Sequence, residues 1–310
     1  MTYRPSPEAH VIAAVSGGKD STAMLLHLRE IGVWPVRAVF YDTGWEHGDT
    51  YTHLDLIEIK MGVSVERHAA KVELPEHLEP DARRIEAMMG VMYSAFVRLC
   101  LRKAIFPRRT VRFCTQELKI RPAQAIMREA HAAGLTPVSC AGIRASESAA
   151  RAKMPETEVS TTLDCLVWHP ILAWSTDDVI AIHKRHDIPL NPLYLRGAER
   201  VGCFPCVMGS KAELRVVGRD ASRMEVARAL EAAVSAEHAR RAAAKGKDVA
   251  VSPTLFQAGR RNADGERPGT PIDEMVRWAR TRRGGSVDQE WLFDLDENDG
   301  CMRHGLCERR

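Results

Sequence analysis

Two stretches of this chain carry side chains whose types and spacing suit chemistry. The first is Ser16-Gly17-Gly18-Lys19-Asp20-Ser21, which the apolar run VIAAV (11–15) delivers directly into the helix-like TAMLLHLREIG. Gly17 and Gly18 let the backbone approach a phosphate closely, and N–H groups at a helix start favour an anion there. Lys19 adds a point charge and the serine hydroxyls add donors. The string is not a Walker A loop, which needs a glycine where Ala13 stands, and it is not GxGxxG. Its plain alternative is a strand–helix turn capped by an Asp or Ser. The second stretch, RVGCFPC, sets Cys203 and Cys206 in a CxxC. Such a pair can grip zinc, cycle as a dithiol, hold half of an iron–sulfur site or sit in a core.

Further candidates flank these two. Asp42 and Glu46, in YDTGWEHGDT (41–50), follow a predicted strand end, where α/β ligand sites lie. They could face ribose, adenine or a metal-bound water, or simply build a turn. GIRASESAAR (142–151) supplies Gly142, Arg144 and Arg151 around Glu147. Two arginines near a strand end suit phosphate or sulfate, although an Arg–Glu surface pair has the same sequence signature. Of the eight cysteines, Cys100, Cys140 and Cys165 lie in apolar contexts and are read as core. Cys114, Cys203, Cys206, Cys301 and Cys307 remain.

Positioning these residues requires alternating elements. VIAAV, PVRAVFYDTG (35–44), VSVERH and TPVSCAGIR (136–144) read as strands, with TAMLLHLREIG, LDLIEIKMG and PAQAIMREAHAAG as helices. That alternation predicts an α/β, doubly wound, Rossmann-like parallel sheet. A long helix is expected over 213–245, a Gly/Pro-punctuated loop over 252–271 and a last helix near 272–282. The boundary falls near 195, dividing a nucleotide-binding domain (1–195) from a helical, cysteine-bearing part (196–310). The chain of 310 residues, 45% hydrophobic and 27% charged, has ample material for a core. Its net charge is only +3, but PRRTVR (107–112), HARRAAAKGK (238–247) and RWARTRR (277–283) are basic segments compatible with a polyanion or a solvated helix face. No apolar run reaches a membrane span and MTYRPSPEAH lacks an apolar signal core, so a cytoplasmic protein with reduced or metal-bound cysteines is expected.

Placed between strand and helix, SGGKDS resembles the PP-loop of the ATP pyrophosphatase superfamily (the adenine nucleotide alpha hydrolase type of fold). HPILAWSTDDVIAIHKRHDIPLNPLYLRGAERVGCFPC (169–206) resembles the phosphoadenosine-phosphosulfate (PAPS) reductase family, and RFCTQELKIRP (112–122) is similar to its cysteine–lysine segment at Cys114, Lys119 and Pro122. Together these motifs span roughly 11–206. Two departures qualify the likeness. Sulfonucleotide reductases usually have a degraded PP-loop, whereas SGGKDS is intact; and their C-terminal E-C-G-L-H is replaced by GCMRHGLCERR. The combination looks closest to the DndC-type members that serve DNA phosphorothioation and to iron–sulfur-dependent tRNA thiolases.

The resemblance implies an ATP-dependent, pyrophosphate-releasing sulfur-transfer or ATP pyrophosphatase enzyme. It would use ATP, Mg²⁺ and a [4Fe–4S] cluster, with a nucleic acid (DNA or tRNA) as acceptor and a cysteine desulfurase or other sulfur donor as partner. Lys19, Asp20 and Arg144 would act in catalysis. Ser16, Gly17, Gly18, Lys19, Asp20, Ser21, Asp42, Gly142, Arg144 and Arg151 would bind nucleotide. The family pattern supplies Cys114, Cys203 and Cys206 as cluster ligands; Cys307 is taken as the fourth, with Cys301 as the alternative, and a spare Cys301 could carry persulfide sulfur. The competing readings are a PAPS or adenosine phosphosulfate reductase releasing sulfite, and a nucleotide-sensing or nucleic-acid-binding subunit of a larger complex.

Overall fold

The computed structural model describes residues 3–108, 110–248, 252–256 and 269–281. Cys301 and Cys307 lie outside the described residues. Strands β1 (Ala9–Ala14), β2 (Arg37–Asp42), β3 (Val65–Ala69), β4 (Thr136–Ala141), β5 (Thr157–Ser160) and β6 (Cys165–Trp168) form one sheet in the order β3-β2-β1-β4-β6-β5. All neighbours run parallel except the edge pair β5–β6. The chain moves outward from β1 through β2 to β3, then returns to add β4 on the other side of β1. The doubly wound order therefore reverses between β1 and β4, where open α/β sheets bind ligands.

Helices α1 (Lys19–Glu30), α2 (Gly48–Met61), α3 (Glu79–Met88), α4 (Ala95–Lys103), α5 (Phe113–Thr115) and α6 (Arg121–Ala132) precede β4. Between α5 and α6 the chain continues helically through a π-turn, Gln116–Ile120, which carries Lys119. After the sheet come α7 (Thr176–Arg185), α8 (Pro192–Leu195), α9 (Lys211–Gly218), α10 (Ala221–Ala243) and α11 (Ile272–Ala279).

Strand burial explains why the strands read as apolar runs: they are covered on both faces. Val11, Ala13, Ala38 and Phe40 pack with α1, α2 and α7, while Ile12 and Val39 meet Ile126 and Met127 of α6 on the opposite face. A separate apolar core joins α3 and α4 to α9, α10 and α11, so residues on both sides of position 195 share it.

One helix differs from expectation. The continuous helix over 213–245 is two helices, because the Asp220 side chain accepts the Arg223 N–H at 2.9 Å and starts α10 afresh. The β5–β6 hairpin carries no period-2 signal, since Glu158 and Val159 on its edge strand are both exposed. No helix among the described residues is long and apolar enough to cross a membrane.

Candidate functional site

The Ser16–Ser21 loop lies at the carboxyl end of β1, beside the β4 end, at the switch point. Gly17 has φ +69°, the left-handed region that glycine enters freely, and α2 closes on it: an added Cβ would stand 2.9 Å from Thr50 Cγ2. Helix α1 starts at Gly18 with no side-chain cap. Gly18 thus brings no capping side chain of its own; Tyr194 takes the Lys19 N–H, and the remaining first-turn N–H groups and the dipole form the kind of helix start that binds anions. The serines brace the loop internally. Ser21 Oγ donates to the Gly18 carbonyl at 3.0 Å and accepts the Ser16 N–H at 3.0 Å.

The cations around this loop are held by two carboxylates. Asp20 takes Arg144 Nε at 2.6 Å on one oxygen and Lys19 Nζ at 3.2 Å on the other. Arg144 is only 4% exposed and also donates to Ser146 Oγ at 2.9 Å, so it anchors the loop from behind. Glu147 accepts both the Arg144 backbone N–H, at 2.9 Å, and the Arg151 guanidinium. Lys19, Asp20, Glu147 and Arg151 line the cleft together with Gly142. Gly142 permits this closeness: a Cβ there would fall 2.6 Å from the Asp20 carbonyl oxygen.

The segment 183–194 supports the loop from below, and its individual residues were not singled out in the sequence. His183 Nε2 meets the Lys19 carbonyl at 2.9 Å, and Asn191 Nδ2 donates to the Gly17 carbonyl at 3.2 Å. Tyr194 Oη accepts the Lys19 N–H at 3.2 Å, while the Lys19 ammonium sits 5.1 Å from the centre of the Tyr194 ring. Asn191 is fully buried and Tyr194 nearly so. Burial holds the Tyr194 phenol well above its ordinary pKa, so it stays a neutral acceptor for that amide. The available signal was HDIPLNPLY, a motif with no chemistry of its own that leads straight into the CxxC.

Asp42 is not among the residues lining the phosphate cleft. Its carboxylate accepts the Gly44 N–H at 2.7 Å and the Tyr51 hydroxyl at 2.8 Å, and so faces the cysteine side. There the loop after β2 is stitched to the CxxC. Glu46 and Cys203 form an antiparallel bridge, Phe204 N–H donates to Trp45 O at 2.9 Å, and Trp45 Nε1 donates to Pro205 O at 3.0 Å. Arg223, 7% exposed, donates to both the Phe204 and Trp45 carbonyls and lies 4.2 Å over the Trp45 ring. Burial pushes its pKa down to about 10, which leaves it charged at neutral pH.

Cys114, Cys203 and Cys206 gather around Lys119. The Lys119 ammonium is raised by the field of Cys203, with further contributions from Glu46, Cys206 and Cys114. Burial pushes the Cys203 thiol up to about 12, with Lys119 opposing. Glu46, 5% exposed, accepts from Thr43 Oγ1 at 2.8 Å and lies 3.8 Å from Cys203 Sγ; burial raises its carboxyl. Cys100, Cys140 and Cys165 are buried, and Cys100 is close enough to Cys114 and Cys203 for their charges to raise its pKa further above the effect of burial. Among the described residues no three His, Cys, Asp or Glu side chains stand in a geometry that would hold one metal ion. Ligands to separate irons of a cluster stand farther apart than ligands sharing an ion, and three soft donors beside a lysine fit that donor chemistry. Cys301 and Cys307 are outside the described residues.

The model of the phosphoadenosine phosphosulfate reductase domain matches residues 10–208. An uncharacterised 37.8 kDa protein of Escherichia phage 186 is 36% identical over 236 residues, 66% of this chain and 68% of the phage protein. An adenosine 5'-phosphosulfate reductase of Allochromatium vinosum is 26% identical over 196 residues, 63% of this chain and 67% of that enzyme. Among solved structures, the PAPS reductase of Candida auris in its phosphate complex aligns at 17% identity with a TM-score of 0.45, covering 65% of this chain and 83% of that one.

Proposed function

The chain belongs to the phosphoadenosine phosphosulfate reductase domain family, and from that membership we propose that it is an ATP-dependent enzyme that cleaves between the α- and β-phosphates and serves sulfur transfer. The observation that carries this reading is the intact SGGKDS loop at the start of α1, where Gly18 supplies no capping side chain, Lys19 and Arg151 line the cleft and Arg144 braces Asp20 from behind. An acceptor oxygen attacks the α-phosphorus, its proton is lost to solvent, and pyrophosphate leaves into the loop. There the first-turn amides and Lys19 stabilise the developing charge by preorganised electrostatics. A sulfur nucleophile then displaces AMP from the adenylated acceptor. Asp20 acts as a positioning carboxylate, because both its oxygens are taken by cations. A magnesium ion in the cleft would therefore rest chiefly on phosphate oxygens and water.

Cys114, Cys203 and Cys206 would hold a [4Fe–4S] cluster with Cys307 or Cys301 as fourth donor, and the cluster would supply a site for labile sulfide or electron transfer. A nucleic acid is the proposed acceptor, with a cysteine desulfurase or another sulfur donor as partner. The basic segments support this only in part, since Arg240 and Arg241 are spent on Glu237.

The test is anaerobic purification followed by iron and sulfide analysis, then pyrophosphate release from ATP with DNA or tRNA present. A brown protein that releases pyrophosphate, with the rate falling about 10²–10³-fold in Lys19→Ala, is the expected result. A second reading, sulfonucleotide reduction, draws on the relatives named adenosine 5'-phosphosulfate reductase. Sulfite formed from that substrate without ATP turnover would establish it in place of the first.

A further inference from the structure

Three cations, Lys19, Arg151 and Arg200, and two carboxylates line the cleft, with Arg144 buried behind it, and the pairing between them is uneven. Lys19 and Arg144 share Asp20, and Arg151 takes Glu147. Arg200 lines the same cleft, is exposed, and makes no salt bridge among the described residues. The carboxylate on its side is Glu213, which accepts the Ser210 N–H at 2.8 Å in the capping box of α9. Arg200 perturbs both Glu213 and Tyr194 electrostatically, so its charge is felt at the floor of the cleft as well as at its rim. The paired cations are already oriented by their carboxylates. Arg200 is the guanidinium left to meet a ligand.

Its position defines what that ligand must be. Arg200 lines the cleft next to Val201, in the segment after Tyr194 that packs against Gly18 of the loop, and it comes from a different part of the chain than the Ser16–Ser21 amides. A phosphate at the start of α1 would occupy the loop, and a second phosphate bonded to it would have Arg200 within the same cleft. A guanidinium binds phosphate oxygens through a planar fork, in charge-assisted bonds stronger than neutral ones. A diphosphate group thus has two anchoring points in this cleft, whereas a single phosphate has one.

We propose that Arg200 is the specificity-determining contact for a pyrophosphate group: it binds the terminal phosphate of ATP, remains on the pyrophosphate leaving group, and makes no contact with AMP. The inference rests on the reading of ATP as substrate and sharpens it, because it separates nucleoside triphosphates from single-phosphate nucleotides at a named residue. It also places a pyrophosphate contact in the segment that leads into Cys203, outside the glycine loop in sequence though packed against it.

The experiment is calorimetric titration of the full-length protein with inorganic pyrophosphate, ATP and AMP, for wild type, Arg200→Ala and Arg200→Lys. Arg200→Ala should weaken pyrophosphate and ATP by about 10–100-fold, the range for losing a charged hydrogen-bonding partner, with AMP affinity unchanged. Arg200→Lys should recover part of the loss, as a point charge without the fork. The proposal is overturned if wild type binds pyrophosphate and Arg200→Ala binds it equally well, or if AMP weakens as much as pyrophosphate. Wild type that binds AMP but neither ATP nor pyrophosphate overturns the ATP reading itself, an outcome distinct from both.

Discussion

Gly142→Ala isolates the contact on which the phosphate loop depends. A Cβ at this position would stand 2.6 Å from the Asp20 carbonyl oxygen, 2.8 Å from its carbonyl carbon and 2.9 Å from Ser21 Cα. All three are backbone atoms, so no side chain can rotate away. Restoring ordinary contact requires the first turn of α1 to retreat from β4 by roughly 0.8 Å. Overpacking of this kind costs about 1–3 kcal/mol of stability. The larger effect falls on function, because the same turn carries the amides of the nest, and displacement by about 1 Å costs on the order of 10²-fold in rate. We expect Gly142→Ala to release pyrophosphate from ATP about 10²-fold more slowly, with a modest drop in melting temperature. Gly48→Ala is the control: an added Cβ there meets nothing within 4 Å, and the position opens α2. It should leave both activity and stability essentially unchanged. Equal activity in wild type and Gly142→Ala, or equal losses in the two variants, would refute the close-approach argument.

Three further outcomes follow from the same geometry. His53 is buried, its Nε2 has no hydrogen-bond partner, and burial together with the neighbouring His183 lowers its pKa to about 4. Unfolded His53 titrates near 6.5, so its contribution is full above that pH and is lost as pH falls towards 4, by about 2 kcal/mol at pH 5. Urea unfolding of His53→Leu should show a shallower loss between pH 7 and 5 than wild type; parallel curves would contradict this. Arg223→Met leaves the Phe204 carbonyl without its buried donor and the Trp45 carbonyl with the Phe204 N–H alone, costing about 1–3 kcal/mol, and should speed alkylation of Cys203 and Cys206. Unchanged alkylation would mean that Arg223 does not hold the cysteine loop. Asn191→Ala removes the donor to the Gly17 carbonyl and should weaken ATP binding measurably, by about 10-fold, with AMP affected alike because the whole nest shifts.

The strands β1 to β4 and the loop between β1 and α1 were legible because local sequence determines them. Apolar runs covered on both faces and a Gly-Gly between strand and helix leave little choice. The partners of the loop were not legible. Asn191, His183 and Tyr194 reach it from more than 160 residues away, and only the sheet order brings them there. The sequence also left Arg144 and Arg151 open between phosphate binding and ion pairing with Glu147. The structure shows the pairing of Arg151 with Glu147 at the cleft and buries Arg144 against Asp20 behind it. A strand end suggests a ligand role for Asp42; the structure adds that its Oδ1 accepts the Gly44 N–H and the Tyr51 hydroxyl, contacts that the local sequence does not announce. The break before α10 was hidden because Asp220 reads equally well inside a helix or as its cap.

The two chemical stretches that stood apart in sequence share one physical support. The chain that leaves Tyr194, beneath the Lys19 amide, passes Arg200 at the cleft wall and reaches Cys203, where it pairs with Glu46 on the loop after β2. Arg223 then binds that loop and the cysteine loop together through two buried carbonyls. A shift of the phosphate loop is therefore transmitted to Tyr194 and along a short segment to the cysteines. Packed contacts of this kind move as units and resist bending continuously. Nucleotide binding should accordingly change the reactivity of Cys203 and Cys206. Alkylation rates measured with and without pyrophosphate would reveal that change, and Arg223→Met should abolish it while leaving pyrophosphate affinity intact. If pyrophosphate leaves the alkylation rates of the wild-type cysteines unaltered, the two sites are neighbours on one scaffold and nothing more.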